Sequence, residues 1–409
     1  MDLHFPPSDL LGDLWPDITG VLDAPTVQVI ADHRAEADRT GRMAPEALAA
    51  VRTSGYLGVA IPKEFGGAGM GLHESCAVQR IVAHADPALA IALNMHLFSV
   101  GMLLEHWRLT GDHAWLLLEA VARQRRVIAS AFAEPGLGGS ILRSTCRGRP
   151  AEGGYAVSGE KRPCSLAAEC DLVCAQFVVE APGVAPELCV AMIPSDAPGV
   201  SSRESWDAMG MRGSASDTLV LDEVLIPSEL VYHRTPVGQD SDQVFVAGLG
   251  WFCLTTAATY LAIAEKALAV AVASLRKATV GGSSSTRAEA ELVQGAVGRV
   301  ATQLLVLVTA LGDQCRAFDS LALTGARFAA AIALKNAAIA HASEATSALA
   351  GLMGGPAYAS GTEFERLWRD AQAGRFHPPT PLVSERLVGA AILGQDLTFD
   401  LSSSRGAAG

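Results

Sequence analysis

The chain has 409 residues, of which 50% are hydrophobic and only 18% are charged. This length predicts more than one packed unit, and the composition excludes an intrinsically disordered chain. The formal net charge of −12 disfavours a protein that follows the backbone of a nucleic acid, because such proteins are normally basic.

The amino-terminal sequence, Met1-Asp2-Leu3-His4, does not begin with the basic and then apolar pattern of a signal peptide. We therefore expect a cytoplasmic protein. The segment Val244–Ala264 contains no charged residue and is just long enough to cross a bilayer, but it also carries two glycines and three threonines. We interpret it as a buried helix of a bundle and expect no membrane partner.

Eight cysteines are present, and the closest three are Cys164, Cys170 and Cys174. Their spacings fit neither zinc nor iron–sulfur ligation. We expect buried free thiols and no metal site.

The first zone, from about Thr26 to Arg125, has a mostly helical pattern, and Pro45 stands where a helix could begin. Four glycines between Gly66 and Gly71 then interrupt the pattern. They neither complete a dinucleotide-binding fingerprint nor follow a clear strand, so we reject that type of site.

The second zone, from about Val127 to Tyr232, combines turn residues with runs that favour β-strands. The clearest runs are Tyr155–Val157, Leu172–Val179, Leu188–Ile193 and Thr218–Ile226. Short strands separated by turns predict a small antiparallel barrel or sandwich.

Helical periodicity returns from Gln243 to Leu393, in segments rich in alanine. Thr286 and Glu289 have the spacing of a capping box and predict a helix start after the loop 281–285. The predicted fold is α+β and mostly helical. Its parts are a helical domain (1–126), a β domain (127–235), a helical bundle (236–398) and a flexible tail (399–409).

Five segments, in order along nearly the whole chain, are similar to motifs of the acyl-CoA dehydrogenase superfamily. AFAEPGLGGS (Ala131–Ser140) is similar to the flavin-contacting TEPGAGSD loop, and VSGEKRPCSLAAECDLV (Val157–Val173) is similar to GxKxWITN. The others are GYLGVAIPKEFGGAGMGL (Gly55–Leu72), WDAMGMRGSASDTLVLDEVLIP (Trp206–Pro227) and LMGGPAYASGTEFERLWRDA (Leu352–Ala371). The chain thus resembles this superfamily.

The resemblance implies an amino-terminal helical domain, a central antiparallel β-barrel and a carboxy-terminal four-helix bundle. It implies FAD as cofactor, or FMN if the enzyme is a monooxygenase, and a homodimer or homotetramer with the flavin at a subunit interface. An electron-transfer flavoprotein or a flavin reductase would be the redox partner.

The resemblance also implies site residues. Flavin contacts would come from Phe132, Ala133, Gly138, Ser165, Arg276, Gly354, Gly355 and Thr380, and substrate contacts from Gly139, Ser140 and Trp251. Each has a purely structural alternative: a glycine pair after a helix is most often a cap, and a lone arginine is most often solvated. The usual threonine, tryptophan and glutamine of the family are replaced by Ala133, Pro163 and Gly351.

The catalytic glutamate of the family is missing. One of its two known positions falls at Pro378, and the other lies within 248–254, which contains no carboxylate. His377 stands beside the first position, and His96 lies on a helix that would line the site. They resemble histidines that hydrogen-bond the C4a-hydroperoxyflavin in the superfamily's monooxygenase branch; packed structural histidines are the alternative. Glu365 and Arg366 are interpreted as an ion pair.

Three functions remain open. The main prediction is α,β-desaturation of an acyl thioester, carried by coenzyme A or a carrier protein, with hydride transfer to flavin and His377 as the candidate base. The alternative is a two-component flavin-dependent monooxygenase that uses His96 and His377. The third is a flavoprotein that has lost its catalytic activity, to which the substituted flavin contacts would point.

Overall fold

The computed structural model describes residues 14–180, 183–279, 284–320 and 324–395. Within these ranges the chain forms ten α-helices and eight β-strands. The predicted tail 399–409 and the amino-terminal residues 1–13 lie outside the described residues, as does most of the predicted loop 281–285.

The first five helices precede the sheet: α1 (Ala24–Thr40), α2 (Pro45–Thr53), α3 (Leu72–Ala85), α4 (Pro87–Thr110) and α5 (Trp115–Gln124). Pro45 is the first residue of α2, as predicted. Asp86 caps α4, since its carboxylate accepts hydrogen bonds from the backbone N–H groups of Ala88 and Leu89. Nearly all of α4 is buried, because it is apolar on every face.

Eight strands form one sheet: β1 (Ile128–Ala131), β2 (Arg147–Ala151), β3 (Gly154–Cys164), β4 (Leu172–Val179), β5 (Glu187–Pro194), β6 (Val200–Arg203), β7 (Asp217–Pro227) and β8 (Val231–Pro236). The order is β6-β7-β3-β2-β4-β5-β8, and β1 pairs with β4. The four strand-favouring runs lie within β3, β4, β5 and β7.

The sheet differs from the expected antiparallel β-barrel in two respects. The described strands form an open sheet, because β6 and β8 at its edges do not pair with each other. The sheet is also mixed, since β1 and β2 both run parallel to β4, one along each half of that strand. Alternation of apolar and polar residues locates strands, but it carries no information on strand direction or closure.

The carboxy-terminal part contains α6 (Gln243–Lys277), α7 (Glu291–Ser320), α8 (Gly325–Met353), α9 (Glu363–Gln372) and α10 (Pro381–Ile392). Helix α6 packs against α3, α4, α7, α8 and α9. Almost every residue from Val244 to Ala264 is buried, which confirms the prediction of a buried helix. The capping box of Thr286 and Glu289 forms, but it caps a 3-10 turn, and α7 begins only at Glu291.

Three described helices, α4, α6 and α7, are long and apolar enough to cross a membrane by length and composition alone. The most apolar stretches of α4 and α6 are 94% buried inside the protein, whereas that of α7 is only 33% buried. Helix α7 therefore presents an apolar face at the surface of the single chain.

All eight cysteines are buried and form no disulfide, which confirms the prediction of buried free thiols. Among the described residues, no group of three or more histidine, cysteine or acidic side chains is placed to hold a metal ion.

The helical, sheet and bundle parts meet at two histidines. His106 of α4 and His233 of β8 lie with their Nδ1 atoms 3.3 Å apart. The Nε2 atom of His106 is 2.9 Å from a carboxylate oxygen of Asp112, and that of His233 is 2.9 Å from Asp242, which caps α6. This hydrogen-bonded row connects the start of α6 to the other two parts.

Candidate active site

A buried ion pair supports the loop that follows β1. Glu134 and Lys161 are both fully buried and in direct contact. The Lys161 ammonium also donates to Ser144 Oγ at 3.0 Å and to the carbonyl of Gln176 at 2.7 Å. Burial alone would raise the pKa of Glu134, but the ammonium of Lys161 and the hydrogen bonds around the carboxylate hold that pKa below its usual value.

This ion pair was missed at the sequence level, although both residues lie in the motifs quoted above. Glu134 is the sole charged residue of its motif, but Lys161 stands between Glu160 and Arg162, so the sequence does not show which of these charges is buried. Buried charges are rare and normally paired, and only the fold identifies the partner.

The backbone of the predicted flavin-contacting residues is held from two sides. The side-chain amide of Gln176 donates to the carbonyl of Phe132 at 3.0 Å. The N–H of Arg162, at the end of β3, donates to the carbonyl of Ala133 at 2.8 Å. Phe132 is buried, whereas Ala133 is partly exposed beside it. The loop is therefore preorganised where the resemblance expects the flavin ring.

Ser165 lies at the end of a chain of three hydroxyls. Its Oγ is 2.8 Å from that of Ser216, which is 2.8 Å from that of Ser214. Ser165 is partly exposed, and the next residue, Leu166, has a left-handed backbone (φ +65°). A hydroxyl that can donate or accept, beside a fixed backbone turn, fits the polar edge of an isoalloxazine ring.

The glycines of the same loop approach the position of the missing glutamate. Gly138 and Gly139 are exposed and have φ of +60° and +80°. A Cβ atom at Gly139 would lie 2.9 Å from Cβ of Pro378, so only glycine fits there without a shift. Ser140 is buried, and its N–H donates to the carbonyl of Leu137 at 3.0 Å. The structure thus brings the predicted substrate-contacting loop against the residues next to His377.

His377 is held by three contacts. Its Nε2 is 2.8 Å from the hydroxyl of Tyr260. Its carbonyl accepts a hydrogen bond from Lys335 at 3.0 Å, and its N–H donates to the carbonyl of Gly374 at 3.1 Å. Burial, together with the positive charge of Lys335, lowers the pKa of His377 to about 3. The imidazole is therefore neutral and only a weak base.

Aromatic rings connect His377 to the loop after β1. The ring of Phe252 is 6.4 Å from that of His377 and 6.0 Å from that of Phe98, between centroids. Phe98 lies 5.2 Å from Phe132 in an edge-to-face arrangement. These rings form an apolar wall between the two loops, contributed by α4, α6 and the end of β1.

His96 occupies a different environment. Its Nε2 is 2.9 Å from the carbonyl of Leu57, and its Nδ1 accepts a hydrogen bond from the N–H of Ile128 at 3.2 Å. The residue is fully buried, and burial lowers its pKa to about 4. Both ring nitrogens thus bond the backbone, which ties α4 to the start of β1. This geometry opposes the predicted role of His96 beside a flavin, because no ring nitrogen is left for a ligand.

Trp251 belongs to the core. It is only 1% exposed, and its ring lies 6.5 Å from that of Phe318. A Cβ atom at Gly101 would lie 2.4 Å from the Trp251 ring, so α4 and α6 are in direct contact here. The geometry gives Trp251 a packing role in place of the predicted substrate contact. The resemblance places Trp251 on this helix, but the sequence alone does not show which face of α6 carries its side chain.

The glycine pair after α8 lies beside an arginine, but not the one that the resemblance indicated. Gly354 ends α8 with φ +71°, and Gly355 after it is exposed. Arg287 donates to the carbonyls of Leu352 (3.2 Å) and Met353 (3.0 Å) and lies 3.5 Å from a Cβ built at Gly354.

Arg276 is an exposed residue near the end of α6. Thr380 is partly exposed at the N-cap of α10, and its side chain makes no capping hydrogen bond.

The prediction that Glu365 and Arg366 form an ion pair was wrong. Glu365 pairs with Arg369, which also binds Asp38 at 2.7 and 2.9 Å. Arg366 instead donates to the carbonyl of Gly361. Residues four positions apart share a helix face, whereas adjacent residues point in different directions.

Comparison with known proteins identifies the family. The models "Acyl-CoA dehydrogenase, N-terminal domain", "middle domain" and "C-terminal domain" match residues 24–107, 129–224 and 243–378 in that order. Together they cover most of the chain and all three of its parts.

The chain is also similar to individual enzymes. It is 29% identical to L-evernosamine nitrososynthase from Micromonospora sp., over 97% of this chain and 96% of that one. It is 29% identical over 221 residues to isobutylamine N-hydroxylase from Streptomyces viridifaciens, a match that spans 58% of that enzyme. Acyl-CoA dehydrogenases are also among its relatives, at 24–26% identity.

Among solved structures, KijD3 in complex with FMN and dTDP-3-amino-2,3,6-trideoxy-4-keto-3-methyl-D-glucose superimposes with a TM-score of 0.81 at 25% identity. The match covers 97% of this chain and 95% of that one. The order of the domains agrees with these matches, and the chain belongs to the acyl-CoA dehydrogenase family.

Proposed function

We propose that this protein is a flavin-dependent monooxygenase that oxidises the nitrogen of an amine. The observation that carries the proposal is the arrangement around His377. A neutral, weakly basic imidazole stands next to the loop of Gly139, where the dehydrogenases of the family would place a carboxylate. Abstraction of a weakly acidic α-proton requires a positioned base, and the Nε2 atom of His377 is already hydrogen-bonded to the hydroxyl of Tyr260.

Oxidation at nitrogen has no such requirement, because the reacting electrons are the lone pair of the amine. The two nitrogen-oxidising relatives and the amino-sugar complex of KijD3 support this reaction class. The main prediction from sequence, desaturation of an acyl thioester, is less well supported.

The cofactor would be FAD or FMN, held against Phe132, Ala133, Gly138 and Ser165. The preorganised backbone and the hydroxyl chain of Ser165 fit the polar edge of the ring. When bound in its reduced form, the flavin supplies the electrons for activation of molecular oxygen. His377 would hydrogen-bond the reacting groups, and the ring of Phe252 would exclude water from them.

Two substrate classes follow from the relatives: a short alkylamine and a nucleotide-linked amino sugar. Gly139 and Ser140 would border the substrate, because their loop lies against Pro378. A separate flavin reductase would supply the reduced cofactor.

We also propose a homo-oligomer. The apolar stretch of α7 is largely uncovered, and Phe376, Leu382, Ile392 and Leu393 are each at least 71% exposed in the single chain. Association of subunits would cover this surface, because exposed apolar patches of this kind normally mark interfaces.

The test compares two reactions on the same preparation. Protein with pre-reduced FMN or FAD is mixed with oxygen and a panel of alkylamines and dTDP-amino sugars, and products are analysed by mass spectrometry. We expect one oxygen atom to be added to an amine, and the yield to fall sharply in His377→Gln. In parallel, oxidised holoprotein is titrated anaerobically with acyl-CoA thioesters. Bleaching of the flavin by a thioester, without any oxygenated amine, would overturn the proposal in favour of desaturation.

A further inference from the structure

The partner of His377 is a tyrosine from the centre of the bundle. Tyr260 of α6 is fully buried, and its hydroxyl lies 2.8 Å from Nε2 of His377. The two rings are 5.7 Å apart between centroids. Burial raises the pKa of Tyr260 well above its usual value, and Asp370 adds to the effect, so the hydroxyl keeps its proton.

The direction of this hydrogen bond follows from the surroundings of the tyrosine. A tyrosine hydroxyl has a single proton, and a buried O–H group that finds no acceptor is costly. His377 Nε2 is the hydrogen-bond partner of the Tyr260 hydroxyl within the described part of the chain. The O–H of Tyr260 therefore donates to Nε2, which must be unprotonated. A neutral imidazole with an unprotonated Nε2 carries its proton on Nδ1.

Contacts of the backbone around His377 hold its imidazole ring next to the Tyr260 hydroxyl. Lys335 is fully buried and donates to the carbonyls of both His377 and Pro379. At the preceding turn, a Cβ at Gly374 would lie 2.6 Å from Ile339 of α8 and 2.9 Å from the Tyr260 ring of α6. Helices α6 and α8 thus clamp the loop from two directions.

The other ring nitrogen is the one left for chemistry. His377 is partly exposed, and no protein partner of Nδ1 is found among the described residues. The same loop contacts Gly139 through Pro378, which places His377 next to the predicted substrate-contacting loop.

We propose that Tyr260 is a positioning residue that holds His377 as its Nδ1–H tautomer, so that His377 presents a hydrogen-bond donor to the active site. The use of this donor rests on the proposed function, whereas the tautomer itself does not. The proton on Nδ1 would bond an oxygen or nitrogen atom of the reacting groups. Tyr260 touches none of them and acts only through His377.

The tautomer is read by NMR of holoprotein labelled with ¹⁵N-histidine. Long-range proton–nitrogen spectra distinguish protonated from unprotonated ring nitrogens, and His377→Gln assigns the signals by their disappearance. In the wild type we expect Nδ1 of His377 to be protonated and Nε2 to be unprotonated. In Tyr260→Phe we expect the proton to move towards Nε2, the tautomer that a free imidazole side chain prefers.

Tyr56→Phe is the matched control. Tyr56 is also fully buried, and its hydroxyl donates to Gln79, but it does not contact His377. It loses the same hydroxyl, so it reports the general cost of the substitution. We expect it to leave the His377 signals unchanged.

Turnover provides the second measurement. In Tyr260→Phe, amine oxygenation should fall about tenfold with KM little changed, the loss expected for one positioned hydrogen bond. A wild-type protein with the proton on Nε2, or a Tyr260→Phe spectrum identical to the wild type, would overturn the proposal. If the tautomer is as expected but no amine is oxidised, the proposed function fails and the positioning role of Tyr260 stands.

Discussion

His96 and His377 were both predicted to act at the flavin, but they differ in burial and in hydrogen bonding. His96 of α4 lies next to strand β1, in the part of the molecule that we call the sheet side. It is fully buried, and both of its ring nitrogens are hydrogen-bonded to the backbone. His377 lies next to helices α6 and α8, in the part that we call the bundle side. It is partly exposed, and one of its ring nitrogens is hydrogen-bonded to Tyr260. The first connects two elements of the scaffold, whereas the second is held by the scaffold at the candidate site.

The same contrast extends to the lysines. Lys161, on the sheet side, is neutralised by Glu134. Lys335, on the bundle side, is equally buried but donates to backbone carbonyls, and burial lowers its pKa to about 8. His96 and Lys161 thus support the scaffold, whereas Tyr260 and Lys335 hold His377 at the candidate site. Substitutions on the sheet side should therefore cost stability, and those near His377 should cost turnover.

The largest expected effect is on the sheet side. Lys161→Met should lower the free energy of unfolding by about 3–5 kcal/mol, because it leaves the Glu134 carboxylate buried and unpaired. Urea denaturation measures the loss. Lys277→Met, at an exposed position, is the control and should change stability by less than about 0.5 kcal/mol. The double variant Glu134→Gln/Lys161→Met should recover part of the loss, and a single variant as stable as the wild type would contradict the support role.

The next effect compares the two histidines directly. His96→Ala should lower the free energy of unfolding by about 3 kcal/mol, because the carbonyl of Leu57 and the N–H of Ile128 both lose a buried partner. His377→Gln should cost less than about 1 kcal/mol, because the residue is partly exposed. Urea denaturation of both variants measures the difference. Equal losses of stability would break the distinction drawn between the two sides.

The smallest effect concerns Asp370, a buried acidic residue of α9. Burial raises the pKa of Asp370 from 3.8 to about 7, and its carboxylate accepts a hydrogen bond from the N–H of Met211. Because the folded-state pKa is the higher one, the stabilising contribution is complete below about pH 4 and is lost as the pH rises to about 7. Asp370→Asn keeps the acceptor and removes the ionisation.

We therefore expect Asp370→Asn to match the wild type at pH 4 and to exceed its stability by about 2 kcal/mol at pH 8, since relaxation reduces the full linkage energy. Unfolding by urea at several pH values measures this difference. A variant that is less stable than the wild type at pH 8 would show that the ionised carboxylate is well accommodated.

The sequence was sufficient wherever local pattern and composition decide the structure. It located the strands around Leu172–Val179, the helix start at Pro45 and the uncharged helix Val244–Ala264. The order of the motifs identified the family. Alignment with those motifs showed that neither of the family's two positions for the catalytic glutamate carries a carboxylate. These features survive because periodicity, capping and motif order are encoded by neighbouring residues.

Only the tertiary structure decided which side chains meet. Tyr260 and His377 are 117 positions apart, and nothing near either residue indicates their hydrogen bond. The contact of Arg287 with the end of α8, the open sheet and the burial of Trp251 likewise depend on how distant elements pack. The sequence by itself determined the family, the order of the domains and the absence of a glutamate at the family's two catalytic positions. The fold determined which histidine has a ring nitrogen available, because burial and hydrogen-bond partners are properties of the packed chain.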